Sequence, residues 1–293
     1  MSAAIILDNV TKSFGKKSVL KGISGRIEQG RVVGLLGRNG EGKTTLFRIM
    51  LDILSADSGN ISILGNSPNG TGKIRGIVGY IPERPSFHEF MNVEDVLRLR
   101  AGFFPSWNWD KAQDMAGRLM LDRKTSMKGA SKGTLAKLAW ICATAHNPSV
   151  LFLDEPTSGL DAVIRDSVLS HFVREMTEEG KTILVTNHHM EELLGVLDEV
   201  WIIAGGVIQS SYTIEELRQH SFRVIGRLKS TAIIPSAIVE EQRIGDLVRW
   251  LVLDKQMLYE IRKKELLENM ETEPLPLETT FKLLLSKTTE PPN

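Results

Sequence analysis

One cysteine in 293 residues, Cys142, rules out an intramolecular disulfide. No eighteen consecutive residues are apolar, so the chain has no candidate for a membrane-crossing helix. Charge of one sign is missing too: 36 basic residues balance 36 acidic ones, so no net field draws the chain to nucleic acid or anionic lipid. The stretch Met1 to Val10 lacks the basic-then-apolar order of a secretory signal. Together these absences predict a reducing, cytoplasmic setting, and any contact with a membrane would come through a partner. No internal repeat is visible. The 42% hydrophobic content is enough for a large core, in one big domain or two smaller ones.

The N-terminal quarter reads as strands: Ala4 to Val10, Val19 to Ile27 beyond the Gly15-Lys16-Lys17 turn, and Val32 to Leu36. A helix is predicted from Thr44 to Leu54, then strands over Ile61 to Leu64 and Ile77 to Ile81. Asn92 to His146 is mostly helical, with Asn92 and Asp95 spaced as an N-cap pair, and resembles an inserted subdomain. Strands and helices then alternate: strand Val150 to Leu153, helix Ala162 to Glu179, strand Thr182 to Thr186, helix Met190 to Val196, strand Val200 to Ala204. That alternation predicts a mostly parallel sheet covered by helices. A Gly205-Gly206 turn leads to Val207 to Gln209, and Thr213 to His220 carries the spacing of a capping box. Beyond it lie strand-like runs Phe222 to Leu228 and Leu247 to Leu253, a charged helix around Lys263 to Asn269, and a tail from Glu271 predicted to be loosely ordered.

The apolar run Val32 to Leu36 feeds into Gly37-Arg38-Asn39-Gly40-Glu41-Gly42-Lys43-Thr44, the strand, G-x-x-x-x-G-K-[ST], helix order of a phosphate-binding loop. Its glycines let successive N–H groups turn towards phosphate oxygens beside the positive end of a helix. Lys43 supplies a point charge for β- and γ-phosphates, and the Thr44 hydroxyl is a magnesium donor. A second oxygen donor stands at the end of Val150-Leu151-Phe152-Leu153-Asp154-Glu155, with Asp154 on the metal side and Glu155 placed to polarise a water for in-line attack. ATP and Mg²⁺ are therefore the expected ligands.

With those motifs in place, the chain resembles the ATP-binding subunit of an ABC transporter over Ile5 to about His220. The resemblance implies an α/β P-loop NTPase fold of the ABC ATPase type, with an N-terminal antiparallel β subdomain, a helical insert at about 84–146 and a small α+β C-terminal extension over 221–293. It implies that Phe14 stacks on adenine, and that Thr45 and the loop residues Gly37, Arg38, Asn39, Gly40, Glu41 and Gly42 join Lys43 and Thr44 around the nucleotide. Glu83 stands where many relatives carry Gln and is a further candidate for metal and nucleotide contact. Ser158-Gly159-Leu160-Asp161 resembles the D-loop, and His188 the switch histidine that meets the γ-phosphate. The signature reads Ala130-Ser131-Lys132-Gly133-Thr134 instead of Leu-Ser-Gly-Gly-Gln. Ser131 can still cap the following helix and Gly133 keep its start open. In this family that helix end closes over the γ-phosphate held by another subunit, so ATP is sandwiched in a head-to-tail homodimer or heterodimer. Ser131-Lys132-Gly133, Glu83 and Pro105 to Asp110 together resemble bacterial ABC-2 exporter-type ATPases, the group with acetoin and antibiotic-resistance transporters.

The expected function is ATP hydrolysis that powers a separate integral membrane permease, from a peripheral position on the cytoplasmic face, with no nucleic-acid partner. Two alternatives stand beside it: a soluble ABC-type ATPase acting on ribosomes or nucleic acid, and a regulatory module that uses ATP only to dimerise. His188-His189-Met190-Glu191-Glu192 is not the H-E-x-x-H of a zinc protease. Trp107 and Trp109 read as helix-packing residues and Cys142 as a buried one.

Overall fold

A computed structural model describes residues 2–156, 172–186, 193–229, 234–235 and 238–287. The chain divides into two compact units, Met1–Ser211 and Tyr212–Asn293.

In the first unit, β1 (Ala3–Phe14) and β2 (Lys17–Glu28) form an antiparallel hairpin turning at Gly15-Lys16. β4 (Ser58–Ile63) pairs along the other side of β1, giving a three-stranded sheet in the order β2-β1-β4. Both hairpin strands run further than the apolar pattern predicts, because cross-strand pairing carries the polar ends Thr11 to Phe14 and Lys17 to Ser18. β3 (Val32–Leu36), β5 (Val78–Ile81), β6 (Val150–Asp154), β7 (Thr182–Thr186), β8 (Glu199–Ala204) and β9 (Val207–Thr213) make the second sheet in the order β5-β6-β7-β3-β8-β9. The pairs β5–β6, β6–β7, β7–β3 and β3–β8 are all parallel. Every residue of β3, β6 and β7 is buried, the composition that a central parallel strand covered on both faces requires.

α1 (Lys43–Met50) follows β3, and Leu46, Phe47, Ile49 and Met50 are buried. It stops four residues before the predicted end: Asp52 takes a positive φ of 59° and its carboxylate accepts from the N–H groups of Gly70 at 2.8 Å and Gly72 at 3.0 Å. A short helix, α2 (Lys73–Ile77), also takes the first residue of the strand predicted at Ile77. The insert holds α3 (Val93–Ala101), α4 (Trp109–Arg118) and α5 (Lys132–Thr144). The Asn92–Asp95 capping box forms at the start of α3. Trp107 and Trp109 pack edge to face at 5.9 Å. Residues 172–178 are helical (α6), and Phe172 stacks on Trp140 of α5 at 5.5 Å. Of the predicted helix Met190 to Val196, the first three residues lie outside the described residues, and Leu193 to Val196 form a turn in which Val196 N donates to Leu193 O at 2.9 Å.

In the second unit, α7 (Ile214–His220) opens with the Thr213–Glu216 capping box. β10 (Phe222–Leu228), β11 (Val239–Ile244), β12 (Leu247–Val252) and β13 (Leu267–Pro274) form an antiparallel sheet ordered β11-β12-β10-β13. The helix predicted around Lys263 to Asn269 forms earlier, as α8 (Lys255–Lys263), because Asp254 caps it by accepting from Gln256 N at 2.8 Å and buries Leu258 and Ile261. Glu265, with φ 46°, ends that helical path, and the charged residues 268 to 273 become a strand paired with β10. Nor is the chain loose from Glu271: α9 (Leu277–Lys287) follows β13, with Leu275, Phe281, Leu283 and Leu284 buried. Glu, Thr and Pro dominate the composition there, but apolar residues at helical spacing decide the structure.

Candidate functional site

β3, β6 and β7 lie side by side, so their C-terminal ends bring Leu36, Asp154 and Thr186 to one edge of the sheet. Ligands of open parallel sheets sit at that edge. The loop from Gly37 to Gly42 leaves β3 there and passes into α1. Gly37 is fixed by space: a Cβ would lie 2.4 Å from Ile203 Cγ2 and 2.6 Å from the Ile203 carbonyl oxygen, which belongs to the β8 backbone. Gly42 is fixed by conformation, with φ 99° at the N-cap of α1 and no room beside Leu20 Cδ2 at 2.5 Å. No side chain caps α1, so its first N–H groups stay directed into the loop's concavity.

The Thr44 hydroxyl donates to Asp154 Oδ2 at 2.7 Å, joining the helix start to the end of β6. Thr186 Oγ1 donates to Asp154 Oδ1 at 2.8 Å, so both oxygens of this buried carboxylate are held. Glu155 follows with φ 51°, a left-handed conformation that costs a non-glycine residue on the order of 1 kcal/mol or more. Its N–H reaches both Thr186 O, at 3.1 Å, and Thr186 Oγ1, at 3.0 Å, which stabilises that turn. Lys43 Nζ donates to Gly37 O at 2.6 Å and Arg38 O at 3.2 Å. Burial pulls the Lys43 ammonium below the ordinary lysine range, opposed by the charges of Glu155, Asp154, Glu41 and Glu83.

These groups face a cleft of about 380 Å³. Asn39, Gly40, Gly42, Lys43, Thr44 and Thr45 form its floor, and Glu83, Asp154 and Glu155 one wall. Gly37, Arg38 and Glu41 shape the loop from outside that lining; Glu41 N donates to Arg38 O at 3.3 Å. Phe14 stands at the end of β1, half exposed, directly across the hairpin from Lys17. Among the described residues no three His, Cys, Asp or Glu side chains converge into a metal cage. Thr44 and Asp154 nonetheless place two hard oxygen donors together, a set that suits magnesium completed by phosphates and water. Ser131 caps α5 by accepting from Thr134 N at 3.1 Å, and with Gly133 it lies outside the cleft lining. His188 and Ser158 to Asp161 lie outside the described residues.

Sequence reasoning passed over Thr186, although its hydroxyl anchors both carboxylate residues. Its only signal is its place after an apolar strand. Lys17 and Val19, also in the cleft lining, were read as a turn and a strand start.

A larger groove, of about 940 Å³, coincides with none of the sequence motifs. Tyr80, Phe87, Phe103 and Phe104 give it aromatic walls, and Lys73, Arg75 and Arg100 give it cationic ones. Among the described residues no carboxylate lines it. Phe103, 69% exposed, and Ile53, 57% exposed, are large apolar side chains that both line this one depression. The Arg100 guanidinium lies over the Phe104 ring at 4.9 Å, and its Nε is buried without a hydrogen-bond partner.

The strand, glycine loop and helix at the edge of a parallel sheet define a P-loop nucleotide-binding fold. The ABC transporter family matches residues 20–158. An uncharacterised ABC transporter ATP-binding protein of Methanocaldococcus jannaschii is 33% identical over 74% of this chain and 80% of its own length. The bacitracin transport ATP-binding protein BcrA of Enterococcus faecalis is 29% identical over 75% of this chain and 73% of its own length. A solved ATP-binding subunit of an ABC transporter superposes with a TM-score of 0.67 at 25% identity, covering 74% of this chain and 92% of that one. The chain belongs to the ABC transporter ATP-binding proteins and is the ATP-binding subunit of a transporter complex.

Proposed function

We propose that this chain hydrolyses ATP and thereby drives a separate membrane permease of the exporter type, working as a head-to-tail dimer on the cytoplasmic face of the membrane. The observation that carries the reading is the bonded series Thr44–Asp154–Thr186, which sets Glu155 beside it in one cleft. Lys43 exchanges its carbonyl partners for the β- and γ-phosphates. Thr44 and Asp154, with Glu83 in the same wall, would hold Mg²⁺, which would supply charge neutralisation at the phosphates. Glu155 orients and deprotonates the attacking water. Phe14 stacks on the base and His188 meets the γ-phosphate held by its own chain, while Ser131 and Gly133 serve the site of the second subunit.

The permease docks in the 940 Å³ groove through an amphipathic segment that bears carboxylates. Apolar walls with cations and no acid favour such a segment over a polar or basic one. The deciding experiment is Glu155→Gln, with ATP binding and turnover measured separately. Turnover should fall by about 10²-fold or more while binding persists and the closed dimer accumulates. Unaltered turnover removes Glu155 from the role of base.

A further inference from the structure

We infer that Lys17 is a nucleotide-contacting residue that holds the α-phosphate, an assignment that rests on the nucleotide reading of the cleft. Three observations meet at this side chain. In the hairpin register Lys17 is the cross-strand partner of Phe14, so ring and ammonium leave the same end of the same ribbon as neighbours. Lys17 and Val19 both line the cleft, whereas Ser18 between them does not, as alternation along a strand requires. Val19 is pinned against the phosphate loop: its Cγ1 lies 3.1 Å from where a Cβ on Gly42 would stand, and its carbonyl oxygen 2.5 Å from the same position on Gly206. That packing holds the Lys17 end of β2 at the cleft, whose lining Lys17 shares with Asn39 and Gly40 of the loop.

Lys17 also has no ion-pair partner among the described residues, unlike Lys12 on the facing strand, whose ammonium is bound to Asp57 at 2.7 Å. Its neighbour Lys16 sits in the hairpin turn and lines nothing. Lys43 serves the far end of the triphosphate from the start of α1. A cation beside the base-stacking ring is instead nearest the first phosphate after the ribose.

Competition against a fluorescent ATP analogue with ATP, ADP, AMP and adenosine tests this in Lys17→Ala, Lys16→Ala and Lys17→Arg. Lys17→Ala should weaken ATP, ADP and AMP alike, by about fivefold to tenfold, as expected for one exposed charge-assisted contact. Adenosine should be unaffected, Lys16→Ala silent, and Lys17→Arg close to wild type. Equal losses for Lys16→Ala, a loss confined to ATP, or a loss shared by adenosine would each overturn the assignment. A wild-type chain that binds no ATP overturns the nucleotide reading itself, an outcome separate from all of these.

Discussion

The first unit contains two depressions built on opposite principles. The smaller, about 380 Å³, is made of loop backbone, hydroxyls and carboxylates at the carboxyl edge of a parallel sheet. The larger, about 940 Å³, is made of phenylalanines from the segments before and after α3, Tyr80 of β5, cations of α2 and α3, and Ala139 and Cys142 of α5. A phosphate group is small and always presents the same oxygens, so eight consecutive residues suffice to meet it. The protein segment proposed to dock in the larger one would be long and variable, and that groove draws on residues from Leu51 to Cys142. The tyrosine at position 80 touches both worlds: it lines the groove and meets Phe47 of α1 edge to face at 6.4 Å, and Phe47 in turn stacks on Phe152 of β6 at 5.3 Å. Burial, reinforced by the charge of Asp154, keeps the Tyr80 phenol protonated.

If the contrast is sound, a change in one depression should leave the other's work intact. The largest effect is expected from Lys43→Ala, which should weaken ATP binding about 100-fold or more, read by titration, while the groove keeps its membrane partner. Near-normal affinity would break the assignment of the smaller cleft. Next comes Phe103→Asp, an exposed position where folding should be unaffected. Retention of the permease in detergent extracts should fall about tenfold or more, with basal ATP hydrolysis within about twofold of wild type. Loss of both activities together would show that the two depressions are not separable.

The smallest effect concerns the groove's support. His146 is buried and stacks on Phe104 at 4.1 Å, and burial lowers its pKa to about 4. Its imidazole therefore stays neutral in the fold down to about pH 4, whereas the unfolded chain takes up the proton below about 6.5. The unfolded state binds more protons in that window, so stability from this residue is full above about pH 6.5 and is lost as pH falls towards 4, by roughly 2–3 kcal/mol. His146→Phe should flatten the acid side of a melting-temperature profile. An unchanged slope would place the acid sensitivity elsewhere.

Much of the smaller cleft was legible because its chemistry is local. Gly37 to Thr44 is contiguous, and Asp154-Glu155 ends an apolar strand, so spacing alone pointed to them. Capping residues were legible for the same reason: Asn92 with Asp95, Thr213 with Glu216, and Ser131 bond to backbone only three residues away. Composition misled in the second unit, where residues 268 to 273, predicted partly as the end of a helix around Lys263 to Asn269 and partly as a loose tail from Glu271, pair as a strand, since their partner β10 lies more than forty residues earlier.

The sequence by itself determined the nucleotide-binding class, the parallel sheet and the residues proposed to carry the phosphate chemistry, because those follow from short-range spacing and apolar runs. Tertiary structure alone decided that Thr186 holds Asp154 and turns Glu155, that Lys17 faces the loop beside Phe14, and that a cationic aromatic groove exists. Each of these joins residues separated by tens of positions, and only the packing of strands and helices sets such distances.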